Sequence, residues 1–250
     1  MCVVAMFALP GIARAESATI GSTLTASHNV SILAASATQL ATAAPEQLVI
    51  PANGLLTSWA VRSSDFGADY ELNELHPVSG PGLQQGFTVT AFIASNAPVP
   101  DFSDSVRTYP GNNNGGTNLD LKKGDYLGIT GNGALPAHQS GAAGDVYATY
   151  PTFGNPNTVF GPPTGITGRE LLLQATERYC FVPDLRHLKL GVARQEVASH
   201  DCQIVVAYTK KVRTKRKRNR VLKQDVPPGT TNVPNSPVSV IVGKLTRKKR

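Results

Sequence analysis

The chain has 250 residues, room for one large domain or two modest ones. Only 16% of them are charged, and Gly (23) and Pro (18) are frequent, a composition that favours turns and short strands and argues against long helices. The formal charge of +7 is unevenly placed: from Lys210 to Arg250 fourteen Lys and Arg face one acid, Asp225, a net of +13, which leaves the preceding residues at −6.

The first fifteen residues, MCVVAMFALPGIARA, form an apolar run too short to span a bilayer, broken by Pro10 and closing on Ala13-Arg14-Ala15. That is the pattern of an export signal's hydrophobic core followed by a small-x-small cleavage site. The usual basic start is missing, so on the export reading the signal is expected to begin upstream of Met1. An apolar first strand or a membrane anchor is the competing reading. On the export reading the mature chain begins near Glu16, and no later segment is long and apolar enough for a stable membrane span.

Cleavage would remove Cys2 and leave Cys180 and Cys202. An even pair in an exported chain is the setting for a disulfide. Without a Cys-x-x-Cys spacing or clustered His, the pair makes a poor zinc site. A bridge closing a loop of this length contributes about 3 kcal/mol through the entropy of the unfolded chain.

Residues 19–45 are small and polar, and read as a lead-in with one or two weak strands. Short alternating runs follow. LLTSWAVRSS alternates around Trp59 and Val61, and DYELNELHP places Tyr70, Leu72 and, after a register change, Leu75. GFTVTAFIAS sets Phe87, Val89, Ala91 and Ile93 on one face. TNLDLKKGDYLGITG carries Leu119 and Leu121, a turn at Lys122–Asp125, then Leu127 and Ile129; RELLLQATERY supplies a last strand. Many short strands between turn signals predict a mostly β fold, with an antiparallel, jelly-roll-like β-sandwich over residues 19–176. YPGNNNGG and PTFGNPNTVFGPPTGITG read as surface loops.

A boundary is expected near Glu177, opening a small α+β domain over residues 177–245 with a basic tail at 246–250. FVPDL reads as a strand, with Pro183 near its start. LKLGVARQEVASH puts Leu190, Ala193 and Val197 on one helical face. CQIVVAY, RVLKQDV and PVSVIVGK read as three more strands, with PPGT as a turn before the last. One helix then covers one face of a small sheet.

Val182-Pro183-Asp184-Leu185, the helix with Ala193 and Val197, the run from Arg220 through Gln224 to Thr230, and the strand Pro237–Val242 together resemble a PASTA domain across about 65 residues. Two features depart from the family pattern. Arg186-His187 stands where a Gly usually follows the first strand, and the connection between the second and third strands is a long, basic hairpin. The resemblance implies a bacterial, non-catalytic module of the kind found outside the cell on Ser/Thr kinases and penicillin-binding proteins, where it recognises peptidoglycan fragments or serves as a spacer. It also implies a bridge between the cysteines that precede the first and second strands, as in some secreted members.

No catalytic residues, cofactor or metal site emerge from the sequence. Gly-x-Ser-x-Gly, His-Glu-x-x-His and the phosphate-cradling Gly-x-x-x-x-Gly-Lys are all missing. GITGNG opens no helix after a strand, as a nucleotide fingerprint requires. His28, His76, His138, His187 and His200 are scattered, and read as solvated loop side chains. Asp101 and Asp104 suit ordinary turns or, alternatively, a calcium site. Trp59 suits a core position or, alternatively, a sugar-stacking platform.

The strongest local signal is KKVRTKRKRNR, where Lys210, Lys211, Arg213, Lys215, Arg216, Lys217, Arg218 and Arg220 put eight positive charges into eleven residues. Such a run points into solvent or onto an anionic partner. It is either a solvated hairpin tip that protects strand edges or a polyanion-binding surface. The aromatic interleaving that base stacking uses is missing, so nucleic acid is not the expected partner. The sequence thus predicts a secreted, wall-associated protein that binds peptidoglycan or another anionic wall polymer through its PASTA-like domain. In the alternative, a carbohydrate- or protein-binding sandwich does the recognising and the PASTA-like domain is a passive spacer.

Overall fold

The structure is a computed structural model that describes residues 16–32, 36–41, 48–78, 87–95, 98–100, 102–112, 118–132, 134–139, 146–150 and 164–246. The signal-like segment, Cys2, Asp101 and residues 247–250 of the tail lie outside the described residues. Contacts divide the chain into two compact units, Ser17–Arg178 and Tyr179–Arg250. Among the described residues no helix is long and apolar enough to cross a membrane.

Among the described residues the first unit is all β. One sheet runs β1 (Glu16–Gly21), β14 (Leu173–Phe181), β4 (Gly54–Ser63) and β7 (Ser105–Pro110), with β8 (Asp120–Leu121) also on β4. A second runs β12 (Thr164–Thr167), β11 (Val146–Tyr150), β3 (Ser36–Ala41), β9 (Tyr126–Gly131), β5 (Tyr70–Pro77) and β6 (Phe87–Ala94), each neighbour antiparallel to the next. A small third sheet joins β13 (Glu170–Leu171), β10 (Leu135–His138) and β2 (Val30–Ile32). A single core draws Leu56, Trp59, Val61 and Leu173 from the first sheet and Ala37, Leu72, Ile93, Leu127 and Ile129 from the second. Period-2 alternation turns one face of each sheet inward and drives this burial.

Several expectations are met in detail. The alternation of DYELNELHP slips at a bulge between Glu74 and Leu75, and Leu72 and Leu75 are both fully buried. Trp59 is 1% exposed with its ring 4.5 Å from that of Tyr109, so it is core and not a sugar platform.

Others are corrected. Of the strands expected in the lead-in, β3 is more than peripheral: it lies inside the large sheet between β11 and β9. Its Ser36, Ala37 and Thr38 are buried, small enough for the sheets to close over them. Asp104, for which a calcium site was the alternative to a turn, is engaged by Arg62, which donates from Nε to Oδ1 at 2.8 Å and from Nη2 to Oδ2 at 3.0 Å.

The second unit holds one helix, α1 (Leu190–Ser199), and a three-stranded sheet ordered β15 (Gln203–Val212), β18 (Pro237–Leu245), β16 (Val221–Gln224). Ala193 and Val197 of the helix pack with Val238, Val240 and Val242 of the sheet, alongside Val182, Leu185 and Val221. The anticipated first strand ends at Phe181; Val182–Leu185 is not strand. That segment is fastened instead by Gln224, whose Oε1 accepts the Leu185 N–H at 2.8 Å while Nε2 donates to the carbonyls of Pro183 and Val226. The end of β14 pairs only with the two-residue β17 (Thr231–Asn232).

The connection between β15 and β16 is not a hairpin. β15 runs parallel to β18 and β16 antiparallel to it, so the last strand of the chain occupies the middle and the basic stretch crosses over its end.

Candidate functional site

Cys180 and Cys202 are bonded, with Cα atoms 4.9 Å apart and both residues buried in the core of the second unit. The bridge ties the end of β14 to the residue before β15, a strand end to a strand start. The cysteines are a structural staple.

The basic crossover is held in a fixed path by its own backbone. After Val212 it makes a short 3-10 turn at Lys215–Lys217, where Arg218 N–H donates to Lys215 O at 3.1 Å. Asn219 N–H then donates to Gly243 O at 2.8 Å, and Gly243 N–H donates to Arg220 O at 3.0 Å. The carbonyl of Asn219 accepts the Leu190 N–H at 2.9 Å, satisfying one of the open donors at the start of α1. His187 N–H donates to Val221 O, and Arg220 returns Nη1 to the His187 carbonyl at 2.7 Å. His187 has φ +69°, the left-handed region that favours Gly, at the site where the family pattern has one.

This path shapes a groove of about 650 Å³. Lys210, Lys211, Arg213, Lys217, Arg220 and Lys223 line it, with Tyr208, Val212, Val221, Leu222 and Ile241, and no acid lies among its lining residues. Among the described residues none of these six cations forms an ion pair. Arg186 is different: it grips Asp184 from Nε and Nη2 at 2.8 and 2.7 Å, and this partner holds the Asp184 carboxyl down at about 2.

Of the eight cations singled out in the sequence, Lys210, Lys211, Arg213, Lys217 and Arg220 come together in the groove, while Lys215, Arg216 and Arg218 are exposed outside its lining. Lys223, His187 and Tyr208 were not foreseen. The sheet register aligns Tyr208 and Lys223 on either side of Ile241, a row that crosses three strands and so leaves no local trace in the sequence.

Four histidines read as solvated have partners. His28 is the most enclosed, its side chain 3% exposed. Its Nδ1 accepts the Ser64 N–H at 3.0 Å, so Nε2 carries the ring proton toward Ser31 Oγ at 3.2 Å, and Ser31 in turn donates to Asp65 at 3.1 Å. The same Nδ1 lies 2.9 Å from Ser64 Oγ, so the ring is held by Ser64 on one nitrogen and by the Ser31 and Asp65 pair on the other. His76 Nδ1 meets Asp125 Oδ1 at 2.8 Å, His138 Nδ1 meets the Ser27 carbonyl at 2.9 Å, and His200 lies 3.7 Å from Glu196 one helical turn before it. Among the described residues no group of three or more His, Cys, Asp or Glu is placed to hold a metal.

Comparison with known proteins bears on the second unit. Neither the curated proteins nor the solved structures contain a match to this chain. Residues 181–244, the stretch that holds the helix, the three-stranded sheet and the basic groove, match the family model of the PASTA domain, about a quarter of the chain.

Proposed function

We propose that this is an exported, non-catalytic protein of the cell envelope whose PASTA domain associates with peptidoglycan or another anionic wall polymer. The observation that carries the reading is the groove itself. Six cations without an ion-pair partner, three on the backbone-fixed crossover and three on the flanking strands β15 and β16, with no acid among the lining residues, form an anion-binding surface whose backbone is set before any ligand arrives. PASTA domains are wall-related modules, and a buried disulfide suits an oxidising compartment outside the cytoplasm. Sedimentation with purified cell wall tests it: the full chain co-sediments at low salt and is released at high salt, and no binding in either condition removes the reading.

One observation favours a second reading, in which the sandwich recognises a carbohydrate or protein and the PASTA domain is a spacer. Phe66 and Phe102 are 59% and 77% exposed, with rings 5.1 Å apart beside a cleft that Ser64, Asp65 and Asn132 help to line. Paired exposed rings next to polar groups are a common way to bind an uncharged partner. Replacing both rings by Ala distinguishes the readings. Wall binding lost with the rings and kept when Lys210 and Lys217 are replaced favours the sandwich.

A further inference from the structure

Resting on the wall-polymer reading, we infer that the groove takes a phosphodiester-linked polyanion, a chain of phosphate groups joined through sugar or polyol units, in preference to the carboxylates of wall peptides. The first argument is charge density. Six lining cations and no lining acid leave the groove a formal +6, which calls for a ligand with closely repeated and unopposed negative charge. A phosphodiester polymer carries one permanent negative charge per repeat, whereas a wall peptide mixes carboxylates with amines and brings little net charge to the same length.

The second argument is the groove's layout. Tyr208, Val212, Leu222 and Ile241 supply an uncharged strip among the cations. A polymer of charged phosphates and uncharged linkers meets both kinds of lining side chain, whereas a run of bare inorganic phosphate or carboxylate uses only the cations. Arg213 adds a planar donor that pairs with two phosphate oxygens at once, and Arg220, held by its Nη1 bond to the His187 carbonyl, adds a positioned charge. A volume of about 650 Å³ holds a segment of polymer, not one isolated ion. The lone aromatic, Tyr208, offers no ladder for stacking bases.

The test titrates the full chain with a glycerol-phosphodiester polymer, with poly-γ-glutamate of matched charge, and with vesicles containing anionic phospholipid. The phosphodiester polymer is expected to bind at least about tenfold tighter than polyglutamate, with a log–log salt slope near about −4 for five or six contacted phosphates. Lys210→Glu with Lys217→Glu, both exposed side chains, should weaken it at least about tenfold more than Lys215→Glu with Arg218→Glu, which alters net charge equally outside the groove. Thermal unfolding confirms that each variant is folded, and Lys210→Ala with Lys217→Ala replaces the first pair if it is not. Equal affinity for the two polymers, equal losses in the two variants, or binding to vesicles but not to the polymer overturns the assignment. Sedimentation with wall stripped of phosphodiester polymers separates the two levels: unchanged binding to stripped wall sinks the phosphodiester assignment alone, and no binding to intact wall sinks the wall reading with it.

Discussion

The backbone carbonyl of Lys217 lies directly over the Cα of Gly243, so close that a side chain at position 243 would collide with it. The basic crossover is therefore seated on the central strand through backbone, not through its charged side chains. Gly243→Val should break that seat and the paired hydrogen bonds with Asn219 and Arg220, costing about 2–3 kcal/mol of stability. Groove affinity should fall with it. Denaturant unfolding of the variant reads the first effect, and a wild-type midpoint would show that the crossover does not rest there.

Removing the staple gives a second expectation. The bridge closes a separation of 22 residues, so Cys180→Ser with Cys202→Ser should lose about 3 kcal/mol, confined to the unit that holds it. Intact mass with and without a thiol-alkylating reagent, before and after reduction, counts the sulfhydryl groups. Free thiols at 180 and 202 before reduction would contradict the bond.

A third concerns pH. Glu177 is fully buried on β14, and burial pushes its carboxyl up to about 7 against a smaller opposing effect of the Ala52 N–H. Between its ordinary value of 4.5 and 7 the folded chain keeps a proton that the unfolded chain releases, so stability falls as pH rises through that window and is level above it. The loss amounts to about 3 kcal/mol by pH 8. Glu177→Gln should flatten this part of the profile and melt higher than wild type at pH 8. Parallel profiles for the two proteins would refute the account.

His187 supplies the fourth. A side chain in the left-handed region is strained, and Gly is not. His187→Gly should therefore stabilise the domain by about 0.5–1 kcal/mol despite the added freedom of the unfolded chain. The readout is the urea midpoint, and a lower midpoint would mean that the His ring makes a contact worth more than the strain.

What was legible in the sequence was whatever local alternation or periodicity encodes. The Leu190, Ala193 and Val197 stripe marked the helix, and the slip before Leu75 marked the bulge. β3 was hard to see because Ser36, Ala37 and Thr38 are buried by their neighbours rather than by their own hydrophobicity. The crossover was misread as a hairpin because adjacent strands in sequence usually pair, and nothing near residues 213–220 announces that a strand from 237 onward will lie between them. Five of the groove's cations follow from composition alone. Lys223 does not, since only the pairing on both sides of Ile241 brings it there.

The position of β18 also sets the order of assembly. Among the described residues β15 and β16 share no partner but this strand, so during synthesis their facing edges stay open until residues 237–245 have left the ribosome. A polypeptide halted before Pro237 would carry every charge of KKVRTKRKRNR and yet lack the strand, and the Gly243 backbone, that seats its far end.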